Sequence, residues 1–80
     1  MAKAEIEARV IQCFATTYNK DVSTLNRNTV IREELSPKSI FMVGLVAMIE
    51  NELDVLIPLP DASKMKTIGD MVDKVLAKVE

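Results

Sequence analysis

The sequence predicts an all-α fold: a small bundle of three main helices and one short helix, with a long loop between the first and second. Three observations carry this expectation. Apolar residues recur at helical spacing in three separate stretches. The composition, 49% apolar and 28% charged with two glycines and three prolines, is that of a globular chain. The one strand-like run, Val55 to Pro60, holds two prolines and has no second strand to pair with. Eighty residues are too few for two independent cores, so residues 1–80 are expected to form one domain.

The first helix is expected over Lys3 to Thr17. Ile6, Val10 and Phe14 stand four apart, Cys13 lies beside them, and Ile11, Ala15 and Tyr18 form an adjoining stripe. From Asn19 to Pro37 the periodicity dissolves into Asn, Asp, Ser and Thr, interrupted by Val22, Leu25, Val30, Ile31 and Leu35. Structureless connections longer than about 12–15 residues are uncommon in compact domains. The stretch therefore reads as an ordered loop with a helical turn, pinned by its apolar residues but adding little core.

A sharp helix start follows. Ser36 suits the N-cap, and Pro37 suits the first helical position because its φ is already helical and its missing N–H needs no partner. The second helix then runs to about Leu53, which puts Ser39 at about its third position. Phe41, Leu45, Ile49 and Leu53 make a core stripe flanked by Met42, Val46 and Met48, leaving Ile40, Val43, Gly44 and Ala47 on another face. So wide an apolar surface cannot all be buried in so small a protein, and part of it is expected to meet a partner or ligand. Val55 to Pro60 reads as an extended connector, and Asp61 to Lys66 as one short helical turn anchored by Ala62 and Met65. Thr67 caps the last helix, with Asp70 three residues on as its reciprocal partner and Ile68, Val72, Val75, Leu76 and Val79 along one face.

Charge and residue counts exclude several classes. Residues 1–32 carry five Lys/Arg against three acids, residues 33–61 carry six acids against Lys38 alone, and residues 62–80 carry four Lys against three acids. The middle is acidic and no basic face is present, so nucleic acid is not an expected partner, whereas a basic protein surface is. The longest uncharged run, Ser39 to Ile49, is eleven residues, well short of the roughly 18–20 that a membrane span requires. The N-terminal residues lack the apolar segment of a secretory signal, and a cytoplasmic location is expected. With one cysteine and no histidine there is no ligand set for a metal and no base to activate Cys13 or Ser39. An enzyme is not expected.

The run Ile31-Arg32-Glu33-Glu34-Leu35-Ser36-Pro37-Lys38-Ser39-Ile40 resembles the segment of acyl carrier proteins that ends in their Asp-Ser-Leu motif. The similarity continues through Glu50-Asn51-Glu52-Leu53-Asp54-Val55, Ile57-Pro58, Ala62-Ser63-Lys64-Met65 and Thr67-Ile68, and Ile6-Glu7-Ala8-Arg9-Val10 resembles the first helix of that family. Nearly the whole chain is covered. The resemblance implies a four-helix carrier-type bundle in which Ser39 bears a 4′-phosphopantetheine arm, donated by coenzyme A through a phosphopantetheinyl transferase. The arm holds acyl intermediates as thioesters for acyl-transferring or condensing enzymes of fatty acid or lipid biosynthesis. A monomer is expected. An acyl chain could slide between the helices, into an interior that has five methionines and 4% aromatics and can repack around a guest.

The sequence also departs from the family pattern. Lys38 stands where the family has an acid before the serine, and Ser36 where it usually has glycine. Phe41, Gly44, Asn51 and Leu56 occupy positions that are typically acidic, while Glu50, Glu52 and Asp54 remain. A specialised carrier follows, presenting a greasier surface to few dedicated partners through Lys38, Ile40, Phe41, Val43, Gly44, Ala47 and Glu50. The alternative is a non-enzymatic interaction module related to carriers but lacking the arm, which binds a protein through Ile40, Phe41, Val43 and Ala47.

Overall fold

Four α-helices build the fold in the computed structural model, which describes residues 2–79: α1 (Lys3–Tyr18), α2 (Ser39–Leu53), α3 (Leu59–Ala62) and α4 (Ile68–Val79). The described residues contain no strand; a single antiparallel bridge joins Val30 to Thr67. The all-α expectation therefore stands, with three long helices and one short.

Helix α1 forms because Ile6, Val10, Cys13, Phe14 and Tyr18 share one buried stripe. It stops where Asn19 turns left-handed at φ 55° and ψ 53°, a conformation Asn tolerates better than most residues. The N–H groups of Asn19 and Lys20 then close back on the carbonyls of Thr16 and Ala15.

The loop is ordered, and its order comes from α4. A 3₁₀ turn at Val22–Thr24 is nucleated by the Asp21 carboxylate, which accepts from the Ser23 N–H at 2.9 Å and the Ser23 hydroxyl at 2.8 Å. These bonds, the backbone one foremost, hold the Asp21 carboxyl below the usual range. Farther on, the carbonyl of Thr29 accepts from Ile68 N–H at 3.1 Å, and Ile31 N–H donates to the carbonyl of Lys66 at 2.9 Å. Arg27 completes the attachment. Its carbonyl accepts from Gly69 N–H at 2.8 Å, while its guanidinium reaches Glu7 on α1 and Asp73 on α4, each at 2.9 Å. The expectation that this stretch adds little core is corrected: Ile31 and Thr29 are buried, and Leu25 and Leu35 pack against the core. Running residues 27–31 against the start of α4 turns alternate side chains inward.

The start of α2 also differs from the sequence reading. A π-turn at Ile31–Leu35 ends in extended backbone at Ser36, whose hydroxyl accepts from Lys38 N–H at 3.1 Å. Ser36 thus closes a local turn and does not cap the helix; Lys38 occupies the cap position without a side-chain bond, and Pro37 lies outside the helix. Ser39 is the first helical residue, not the third. The competition between a local Ser turn and a helix cap, both available to the same hydroxyl, explains the two-residue error.

Leu45, Ile49 and Leu53 are buried as their spacing predicts, Val46 joins them, and α2 ends where Asp54 turns left-handed at φ 52°. Ile57 is buried, and its N–H donates to the Glu50 carboxylate at 2.9 Å. The short helix begins at Leu59, two residues before the expected Asp61, because Pro60 sits in the first turn, where a missing N–H leaves nothing unpaired. Its Ala62 is fully buried, and Asp61 pairs with Lys74 of α4 at 3.2 Å. Helix α4 opens with the expected reciprocal cap: Asp70 N–H donates to the Thr67 hydroxyl, and Thr67 N–H donates to the Asp70 carboxylate, each at 3.1 Å. Met71 takes a fully buried place beside Ile68, Val72 and Val75, while Leu76 is half-buried and Val79 exposed.

Candidate functional site

Ser39 stands exposed at the first position of α2, at the junction of the loop, α2 and α3. The depth of this corner is set by an aromatic column. Phe14 stacks on Tyr18 with ring centroids 6.1 Å apart, and Tyr18 stacks on Phe41 at 5.0 Å, so all three aromatic residues of the chain run from α1 into the first turn of α2. Phe41 is half-buried in consequence, part core and part surface. Burial raises the Tyr18 phenol above its ordinary value, which keeps it neutral beneath the site.

Two cavities meet at Ser39. One, of about 140 Å³, lies inside the corner; its floor is Tyr18, Ile31, Met42 and Met65, and its mouth carries Arg32, Lys38, Ser36 and Ser63 with Ser39. The other is an open apolar groove of about 510 Å³ between α2 and α3, bounded by Ile40, Met42, Val43, Leu59, Pro60 and Ser63. Ile40 is 74% exposed, Val43 52% and Leu59 47%, values that leave large apolar side chains in water.

The residues expected to serve partners divide by position. Lys38, Ile40, Val43, Gly44 and Ala47 are all exposed along the outer side of α2. Glu50 is half-buried, and one of its oxygens is committed to the Ile57 N–H, so it also holds the connector to α3. Sequence reasoning missed four residues at this corner: Arg32, Leu59, Pro60 and Ser63. Leu59 could have been found as a large apolar residue between two prolines with no strand to belong to. Ser63 gave no signal; its hydroxyl donates to the Pro60 carbonyl at 3.0 Å and closes the end of α3.

Cys13 is buried away from this corner, and burial first, then the Glu52 charge, pushes its thiol up. A thiol so placed stays protonated and inert at neutral pH. No helix among the described residues is long and apolar enough to cross a membrane.

No family model matches the chain. Curated relatives do. The chain is 35% identical over 68 residues to an acyl carrier protein of Rickettsia canadensis, covering 85% of this chain and 79% of that one. It is 31% identical over 72 residues to an acyl carrier protein of Lactobacillus acidophilus, with 90% of each covered. It is 29% identical over 79 residues to one from an Exiguobacterium species, covering 99% of this chain and all of the other. With the helical order described above, this similarity settles the family: the chain belongs to the acyl carrier proteins, which are carriers serving enzymes and not catalysts themselves.

Proposed function

We propose that the protein is a specialised acyl carrier whose Ser39 bears a 4′-phosphopantetheine arm, with an apolar docking face on α2 for a small set of acyl-transferring or condensing enzymes. The observation that carries this reading is the exposure of the Ser39 hydroxyl at the first position of α2. There the leading backbone N–H groups lack intrahelical partners and the positive end of the helix favours an attached phosphodiester. The corner fits the group: a free hydroxyl for its root, cationic side chains at the mouth, and an apolar groove alongside. The arm supplies a terminal thiol that holds acyl groups as thioesters. The chain's own part is to root the arm, neutralise its phosphate and offer Ile40, Val43, Gly44 and Ala47 with Leu59 as the surface that partners read. That surface is apolar, so recognition by this carrier relies on shape and burial more than on charge steering. A cytoplasmic monomer of one domain is part of the same reading.

Intact-mass measurement tests the proposal. Incubation with coenzyme A and a broad-specificity phosphopantetheinyl transferase is expected to add one phosphopantetheinyl group, and Ser39→Ala to abolish the addition. A chain that gains no mass with any such transferase, the host's own included, is instead an interaction module that has lost the arm. Lys38, reversing the usual charge beside the serine, is the residue that favours that second reading.

A further inference from the structure

Arg32 and Lys38 approach Ser39 from two different segments. Arg32 comes from the π-turn and Lys38 from the residue before α2, yet both line the mouth of the 140 Å³ cavity on which Ser39 opens. Neither side chain forms an ion pair among the described residues, and both residues are exposed. By contrast, Arg27 of the same loop is fully engaged by Glu7 and Asp73. The acids nearest in sequence do not neutralise them: Glu34 turns its carboxylate back to the Val30 N–H at 2.6 Å, and Glu33 is exposed without an ion pair among the described residues. Two cations without ion pairs among the described residues therefore line the same cavity as Ser39, in a molecule whose net charge is −2.

We infer that Arg32 and Lys38 form a two-armed clamp for a phosphate group esterified to Ser39, holding the root of the prosthetic arm against the corner between the π-turn and α2. This rests on the carrier reading for the identity of the arm, but the clamp itself requires only a phosphate on that oxygen. Covalent attachment fixes where the anion sits. A phosphorus bonded to the Ser39 Oγ stays one bond from a residue that lines the cavity with both cations. Guanidinium and ammonium groups donate to phosphate oxygens in complementary ways, the first as a planar fork and the second as a compact point charge. Both cations are positioning residues: they restrict the direction in which the arm leaves the protein and take no part in acyl chemistry.

The test installs phosphoserine at position 39 by directed incorporation in the full-length chain, so that no transferase is involved, and follows its ³¹P signal through pH 4–8. The clamp should favour the dianion. The second ionisation of the phosphate is expected about 0.5 pH units lower than in the Arg32→Gln/Lys38→Gln double variant at low salt, a roughly three-fold lower proton affinity, with the difference vanishing at about 1 M salt. Coincident curves for the two proteins at low salt would overturn the clamp, as would a difference that survives high salt. The unphosphorylated forms should melt together, since neither side chain has a partner to lose; an unphosphorylated double variant that melts lower would show a structural role instead. Failure of the clamp leaves the mass-addition result untouched, and failure of mass addition leaves the phosphoserine titration intact, so the two readings fall separately.

Discussion

Glycine to alanine at two positions of this chain should have opposite effects, and the contrast tests how the loop is anchored. A Cβ on Gly69 would lie 2.8 Å from the Arg27 carbonyl oxygen and 3.2 Å from the Arg27 Cβ and Nε. The nearest atom is backbone, and it must retreat by about 0.6 Å to reach the 3.4 Å at which ordinary contact begins. The same oxygen accepts the Gly69 N–H at 2.8 Å, so that retreat stretches the bond to its limit and costs on the order of 1 kcal/mol. Crowding adds about 1–3 kcal/mol. The gain in helix propensity, at most about 1 kcal/mol and less at a helix start, offsets part of this. A net loss of roughly 1–4 kcal/mol lowers the melting temperature by about 4–32 °C at this size. Gly44 is the control. Its Cβ would meet only the Thr17 Cγ2 at 3.9 Å, so Gly44→Ala should stabilise by about 0.5–1 kcal/mol. Thermal melts and urea titrations of both variants read the difference. A Gly69→Ala protein as stable as the parent would refute the claim that the loop is clamped to α4 through the Arg27 carbonyl.

Acid should loosen the start of α4. The Lys66 and Thr67 N–H groups hold the Asp70 carboxyl below the usual carboxylate range. A depressed native value contributes stability that is present above the ordinary carboxylate pKa and lost as pH falls through the native one, so the parent should lose more stability than Asp70→Asn between about pH 4 and pH 2 in a urea-melt series. Parallel pH profiles would argue against that role. Cys13 should resist alkylation at pH 7 in the native chain and react at once in denaturant, because burial raises its thiol pKa. If the proposed arm is present, a thiol that labels under native conditions therefore belongs to it; rapid labelling of the unmodified chain would contradict the buried placement of Cys13.

What the sequence revealed, and what it hid, follows from the range of the interactions involved. Helix α1, the core stripe of α2 and the Thr67–Asp70 cap were all legible because each is written within one or two turns of chain. Their signals are local spacing and capping chemistry. The register of the α2 start was misread by two residues, because Ser36 can close a turn on Lys38 as readily as it can cap a helix. The loop was legible as ordered but not as anchored. Arg27 meets partners 20 and 46 residues away, and nothing in its neighbourhood marks it apart from the other loop cations. Gly69 reads as a tolerated glycine in a helix until the Arg27 carbonyl is seen against it. At the candidate site, the ordered run of matching segments singled out Ser39, and the structure places that residue exposed at the first position of α2. The convergence of Arg32 on the same corner depends on the π-turn, whose five-residue hydrogen bond from Ser36 N–H to the Ile31 carbonyl has no sequence signature.

Helix α2 is apolar nearly all round, and its three faces have different causes. Leu45, Ile49 and Leu53 are spent on the core, and Phe41 on the column with Tyr18, so these residues stabilise the fold. Ile40 and Val43 contribute less, since 74% and 52% of their respective surface remains in water. Their apolar character therefore has no explanation within the isolated chain, and on the carrier reading it belongs to the docked state. Rigid geometry adds a consequence. Ser39 and Ala47 lie on one uninterrupted helix, eight residues apart, so on the proposed reading the root of the arm and the far end of the docking face are separated by a fixed axial distance of about 12 Å. Under that reading, a partner that grips Val43 and Ala47 would fix where the arm begins, and only the arm beyond Ser39 would have to search for the active site. The loop side of the same corner is held more lightly. Between Arg32 and Lys38, the N–H groups of Glu34 and Ser36 donate to the carbonyls of Val30 and Ile31, and the Lys38 carbonyl accepts from Phe41 N–H of α2 at 3.4 Å, whereas Arg27, Thr29 and Ile31 are tied to α4 and to Lys66 just before it. The hydroxyl of Ser39 is thus set by a helix that Leu45, Ile49 and Leu53 hold in the core, while the segment before it is attached by Leu35 against the core and by the Lys38 carbonyl on α2.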